Sequence, residues 1–362
     1  MSAIKAGTIV IALSMLIAAA CTSTGEEPIV ETSPTSDPTV LRLGTGDALG
    51  RPDTPVVAAF ANAVEDLSEG AMRVEVVWEA GGPSSRHEGF EQGVVGLVQD
   101  RELDLGWVAA RSWDTMGVTS FQALQAPFLI TDQELLAEVL ASSMAGEMMA
   151  GLDDADVVGL GMYPDGLRYP LGYAAPMASV EDWDGAAIRL VPSDATDALV
   201  RALGGRPVYG LNGDDLDAAI ASGDIDGTEI SFAGAPPLAQ DVAPRSVITS
   251  NVVLFPRVNT LFAGRELWAS LSEEQQSILA AAAEEAQAVA AELATEDVQA
   301  FCDAGGEIVH ASRAEVAALE RAAQPVYGSF EADPTTKAFI EQIRELKEGL
   351  ASADAPPSCS AG

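Results

Sequence analysis

The stretch Val180-Glu181-Asp182-Trp183-Asp184-Gly185-Ala186-Ala187-Ile188-Arg189-Leu190-Val191-Pro192-Ser193 holds a short apolar strand, Ala187–Val191. It leads into a helix, Asp194–Leu203, closed by Gly204-Gly205, a normal C-terminal stop. Arg189 interrupts the apolar run. An unpaired buried charge costs several kcal/mol, so this guanidinium must meet an anion. Its planar fork matches a carboxylate with two parallel hydrogen bonds. The residues alone leave two partners open: the carboxylate of a ligand, or an internal acid such as Asp226 or Glu229.

The same alternation of strand and helix recurs outward from this unit. Val40–Gly46 reads as a strand, and Thr54–Ser68 as a helix with Val57, Phe60, Val64 and Leu67 at helical spacing. Strand Arg73–Trp78, helix Glu88–Gln99, strand Leu103–Ala109, helix Gln133–Met149 and strand Val157–Tyr163 follow. Beyond the quoted stretch come helix Asp214–Ala221, strand Gly227–Phe232, and Val247–Phe262, an apolar run that suits two strand segments crossing between domains. Such alternation predicts α/β layers around mostly parallel sheets. Ser272-Glu273-Glu274-Gln275 fits a capping box. The helix it opens is expected to reach about Cys302, and thirty residues at 1.5 Å each span roughly 45 Å, enough to lie across two domains. Ile278, Ala282, Ala286, Val289 and Leu293 form its expected apolar stripe.

The first 21 residues say where the protein works. Lys5 and the apolar run Ile9–Ala20 read as a secretory signal peptide over residues 1–20. The run is shorter than the ~20 apolar residues that span a bilayer. Ala18-Ala19-Ala20-Cys21 resembles a bacterial lipobox, which implies a lipid on Cys21 that holds the protein at the outer face of the membrane. Residues 21–39, rich in Thr, Ser, Pro and Glu, are expected to be a flexible linker. The tail 351–362 is expected to be disordered. The body between them exceeds the usual size of one hydrophobic core, so two domains are expected.

Net charge is −36, from 55 acidic and 19 basic residues, which argues against nucleic acid as a partner. A buried basic site can still win locally, because charges beyond ~8 Å are screened at physiological salt. After Cys21, the remaining cysteines, Cys302 and Cys359, either pair and pin the tail to the end of the long helix or stay as two thiols. No zinc spacing and no cofactor motif is present, and His87 and His310 are far apart, so no metal or catalytic residue is assigned. G-x-S-x-G and H-E-x-x-H are absent, which leaves an extracellular enzyme as a minor alternative.

Three segments in order resemble one family: Tyr163-Pro164-Asp165-Gly166-Leu167-Arg168, then Val180 to Ser193, then Ile220 to Glu229. Ala126-Pro127-Phe128-Leu129 and Trp268 to Glu274 fit it as well. They are similar to the solute-binding proteins of tripartite ATP-independent periplasmic (TRAP) transporters, the DctP-like family. The resemblance implies an α/β fold of the two-lobed periplasmic-binding-protein type, with hinge crossovers and a long helix behind both lobes. Lobe I would hold residues 40–165 and 255–296, and lobe II residues 166–254 and 297–350. It implies an extracytoplasmic receptor that captures a small organic acid between the lobes and delivers it to TRAP membrane permease subunits. A sensory lipoprotein with the same fold is the alternative.

By the same resemblance, Arg189 clamps the ligand carboxylate and Arg168 sits near the hinge and the cleft. The family's asparagine falls on Ile230, which cannot hydrogen-bond through its side chain and makes that part of the pocket more apolar. Glu229 before it reads as structural. Trp107 is expected to line the cleft, Tyr209 and Leu211 fall where a cleft-lining residue is placed, and Asn251 and Arg257 are further candidate contacts. With Ala109 in place of a polar residue, the ligand is expected to have an apolar or aromatic body rather than that of a polyhydroxylated sugar acid.

Overall fold

Strand β1 (Thr39–Thr45) opens the folded body and pairs in parallel with β2 (Met72–Val77) and β3 (Leu105–Ala109). The computed structural model describes residues 37–81, 89–211, 213–243, 245–293, 298–350 and 355–359. The expected signal peptide, Cys21 and the linker up to Ser36 lie outside the described residues.

Beside β3 runs β9 (Phe255–Gly264), antiparallel, and beside β9 runs β4 (Val157–Gly172), also antiparallel. β4 is the element that joins two sheets. Its first part, Val157–Arg168, pairs with β9; its end, Tyr169–Gly172, pairs with β7 (Gly227–Ile230). β7 then pairs in parallel with β5 (Ala187–Arg189), and β5 with β6 (Arg206–Val208). β8 (Val247–Thr249) pairs with the end of β4, and β10 (Glu307–Val309) with β8. The sheets are therefore mixed, not mostly parallel: the two long crossing strands, β4 and β9, run antiparallel to each other and to their neighbours β3, β7 and β8. The register of β4 slips between Pro164 and Leu167, and Gly166 there has φ 80°, a conformation that suits glycine.

Alternation along the first sheet's strands fills two cores. Leu105, Trp107, Leu261 and Ala263 point to one, under the helices Thr54–Leu67 and Glu273–Leu293. Val108, Val258 and Phe262 point to the other, with the helix Phe90–Gln99. The helix Pro334–Gly349 shares that second core through Phe339, Ile340 and Ile343. Gly106 is required there: a Cβ would lie 2.2 Å from the Phe262 ring. The second sheet packs on Phe232 and Phe301 on one side and on Trp183, Leu199 and Leu319 on the other.

Several sequence expectations change. Of the helix expected to reach Cys302, Glu273–Leu293 and Val298–Asp303 are helical, the latter packed on the second sheet's core, and residues 294–297 lie outside the described residues. The buried residues of Glu273–Leu293 are Leu279, Ala282, Ala283, Ala286 and Ala290; of the expected stripe Ala282 and Ala286 are buried, Ile278 and Val289 pack half-buried on the same core, and Leu293 is exposed. Small side chains let this helix approach Thr54–Leu67 closely. The expected helix Gln133–Met149 is broken at Ser142, whose extended backbone (ψ 165°) separates Gln133–Ala141 from Ser143–Ala150.

The tail differs as well. Cys302 and Cys359 are bridged, with Cα atoms 5.8 Å apart, and the Pro357 carbonyl accepts a hydrogen bond from Ser250 Oγ. Residues 355–359 are thus tied to the second sheet. The bridge closes a loop of 57 residues, so reducing it is expected to lower stability by about 2–4 kcal/mol. Urea unfolding with and without a reductant measures this; an unchanged midpoint would mean that the tail bonds alone suffice.

Candidate functional site

A cavity of about 390 Å³ opens where the first sheet meets the second. β5 ends on Arg189, and its register sets Arg189 beside Thr228 of β7, whose Oγ1 donates to the Arg189 carbonyl (2.9 Å). The Arg189 side chain is partly buried, and its Nε donates to the Leu211 carbonyl (3.0 Å). Arg168 enters from β4 at the sheet crossing, and Ile230 from β7. The structure thus brings Arg168, Arg189 and Ile230 to one cavity.

Around them runs a chain of alternating charges. Glu229 takes Arg168 Nε at 3.2 Å and Arg111 Nη1 at 3.2 Å. Arg111 lies 3.9 Å from Glu91, which lies 3.5 Å from Arg257. Arg257 also meets Asp47 at 2.9 Å and Asp165 at 3.1 Å. Arg111, Glu91, Glu229 and Arg257 are all buried. Low dielectric strengthens such pairs and makes any unpaired member costly.

The electrostatics follow from this packing. Burial pushes the Arg168 guanidinium down to about 10, opposed by Glu229. Burial also lowers Arg189, against the pull of Tyr173 and Glu229. For Arg257 the desolvation is outweighed by Asp165, Asp47 and Glu91, which hold it charged. Burial raises the Asp47 carboxyl, but Arg257 and Arg51 more than offset this and hold it below the usual carboxylate range.

Three sequence candidates lie away from this cavity. Trp107 is buried in the core of the first sheet, its ring 4.5 Å from Tyr163, with Nε1 donating to Asp53 Oδ2 (2.9 Å). It lines a separate cavity of about 30 Å³. Tyr209 is turned to Asp197, which accepts its hydroxyl. Asn251 is a two-way clasp on Ala311, donating to its carbonyl (2.7 Å) and accepting from its N–H (2.8 Å). Arg257 does line the cavity, and Leu211 contributes its carbonyl.

Sequence reading missed Arg111, Glu91, Asp47 and Tyr173. The available signal was position: Arg111 and Asp47 follow the C-terminal ends of β3 and β1, where binding groups gather in α/β sheets. Glu229, read as structural, joins Arg111 and Arg168 in the cavity. Among the described residues no group of three or more His, Cys, Asp or Glu is arranged to hold a metal ion.

Asp53 is the exception to this pairing. Burial, with Asp47 and Asp165 nearby, pushes its carboxyl up to about 7, against Arg257 and the Trp107 N–H. An unfolded aspartate titrates near 3.9. Between these values the folded chain keeps a proton that the unfolded chain has lost. Stability from this group is therefore full below about 4 and falls by about 1.4 kcal/mol per pH unit up to about 7. Asp53→Asn keeps an acceptor for Trp107 and is expected to remove that fall. Unfolding free energies of both proteins between pH 4 and 8 check it; parallel curves would refute the assignment.

Comparison with known proteins agrees with this architecture. Residues 47–333 match the family model described as bacterial extracellular solute-binding protein, family 7 (DctP). A curated protein from Chromohalobacter salexigens, described as a solute-binding protein, is 21% identical over 304 residues, covering 82% of this chain and 86% of its own. A TRAP periplasmic solute-binding protein from Bradyrhizobium sp. BTAi1, in complex with α/β-D-galacturonate, is 23% identical at a TM-score of 0.74, over 84% of this chain and 99% of that one. One from Shewanella oneidensis with bound succinate is 18% identical at a TM-score of 0.73, over 84% and 99%. Both share the α/β architecture described above. With the family model spanning most of its length, the chain belongs to family 7 of the bacterial extracellular solute-binding proteins and is an extracytoplasmic solute receptor.

Proposed function

We propose that this receptor captures a small organic acid in the cavity between its two sheets, with the ligand's carboxylate on Arg189. The observation that carries this reading is Arg189 itself, a guanidinium at the end of β5 that lines a cavity shared with Arg168, Arg111 and Arg257. The lobes divide near residues 165/166 and 254/255, where β4 slips register and β9 begins. A ligand that touches both lobes binds the closed form more tightly and shifts the population toward it.

The reading extends to partners. The loaded receptor delivers its acid to TRAP-type membrane permease subunits and performs no chemistry on it. A lipid on Cys21 and the linker after it tether the receptor to the outer face of the membrane. The test is a thermal-shift screen of the purified chain with succinate, D-galacturonate and other mono- and dicarboxylates, since a ligand that binds only the native state raises its stability by mass action. A melting temperature that no carboxylate moves would defeat the proposal.

A further inference from the structure

Resting on that reading, we infer that the cavity takes a 2-oxo or 2-hydroxy monocarboxylate with a branched apolar body, and that the Tyr173 hydroxyl reads its 2-oxygen. Tyr173 follows the last residue of β4 and lines the cavity. Its side chain is buried, and its hydroxyl oxygen has no hydrogen-bond partner among the described residues. A buried hydroxyl left unpaired is costly, whereas a ligand oxygen would satisfy it. Tyr173 and Arg189 line the same cavity from neighbouring strands: Thr228 of β7 pairs with Arg189 on one side and with Leu171, two residues before Tyr173, on the other. A carboxylate on Arg189 would place the rest of the ligand in the cavity that the phenol also lines.

Val191, Leu216, Ile230 and Leu238 form an apolar part of the wall in this half of the cavity, beside Asp217 and Thr228, whose Oγ1 already donates to the Arg189 carbonyl. The four apolar side chains offer no hydrogen bond, so hydroxyls of a sugar acid laid against them would be desolvated without partners. A second carboxylate fares no better. Across the cavity, Arg111 and Arg257 are held by Glu91, Glu229, Asp47 and Asp165, and Arg51 lies 4.0 Å from Asp47, so a second carboxylate would compete with internal acids.

The experiment is calorimetric titration of the full chain with four probes: 4-methyl-2-oxopentanoate, 4-methylpentanoate, succinate and D-galacturonate. The oxo acid is expected to bind tightest, with its deoxy analogue about tenfold weaker, the size of one hydrogen bond. Tyr173→Phe is expected to erase that tenfold difference while leaving 4-methylpentanoate binding unchanged, which also shows that the variant is folded. Ile230→Asn, the second variant, is expected to weaken both branched acids. Tighter binding of succinate or D-galacturonate overturns the class while the receptor reading stands. Equal loss of both branched acids in Tyr173→Phe overturns the role of the hydroxyl. Binding of none of the four overturns the class, and the receptor reading falls with it only if the wider thermal-shift screen also finds no carboxylate.

Discussion

Arg189→Ala is expected to weaken binding of whichever carboxylate the screen finds by about 2–5 kcal/mol, roughly thirtyfold to several thousandfold. The size comes from what the substitution leaves behind. A carboxylate drawn from water into the cavity loses its hydration, and without the guanidinium it faces Glu229 and Glu91 with only shared cations to balance them. Partial exposure of Arg189 lets water moderate the loss, which is why the range starts near 2 kcal/mol. Arg189→Lys keeps the charge but not the two-pronged fork, and its affinity is expected to fall between the two. The ligand-free variant loses the Nε bond to the Leu211 carbonyl, worth about 1 kcal/mol of stability, so its melting temperature must be measured alongside. A stable Arg189→Ala protein that kept full affinity would remove Arg189 from the site.

Some of this site was legible before any coordinates. Arg189 could be singled out because a guanidinium in an apolar strand demands an anion, whatever the fold. Arg168 was a weaker reading, since a loop arginine in solvent was as plain a role; the structure instead buries it on β4, paired with Glu229. Glu91, Arg111 and Asp47 were invisible because their meaning lies in long-range partners. Arg257 and Asp47 are 210 residues apart, and Arg111 and Glu229 are 118 apart. Among 55 acids no single carboxylate stands out, so only the fold selects which ones face the arginines.

Trp107 shows the opposite case. In β3 every residue is buried, so alternation could not say which face meets a cavity and which meets a helix. The structure turns Trp107 to the core under the helices Thr54–Leu67 and Glu273–Leu293, its ring tilted against Tyr163. The fold itself was clearer than the site. Strand and helix positions follow local periodicity, and most elements fall within a few residues of their expected bounds. What periodicity could not supply is the direction of each strand or the length of β4, whose crossing runs through a Pro-Asp-Gly segment that reads locally as a turn.

Arg257→Leu is expected to be the most destabilising single change in the site, by about 3–5 kcal/mol. One guanidinium, 7% exposed, lies within ion-pair distance of Asp47, Asp165 and Glu91. Leucine fills much of the volume, so the loss is electrostatic: three carboxylates are left close together out of water. The pH dependence separates this from a packing defect. In the native protein Asp47 is held below the usual carboxylate range, so its contribution is present above about pH 4 and is lost on acidification below that. Without Arg257, the burial that raises Asp47 has a weaker opponent in Arg51, 4.0 Å away and more exposed. The sign then reverses, and the variant gains stability relative to wild type as pH falls from neutral toward 5. Urea unfolding of both proteins at pH 7.5 and pH 5 reads the difference directly. A deficit that stays constant across that interval, or one below about 1 kcal/mol, would mean that the carboxylates rearrange toward solvent and that Arg257 is not the hub of the network.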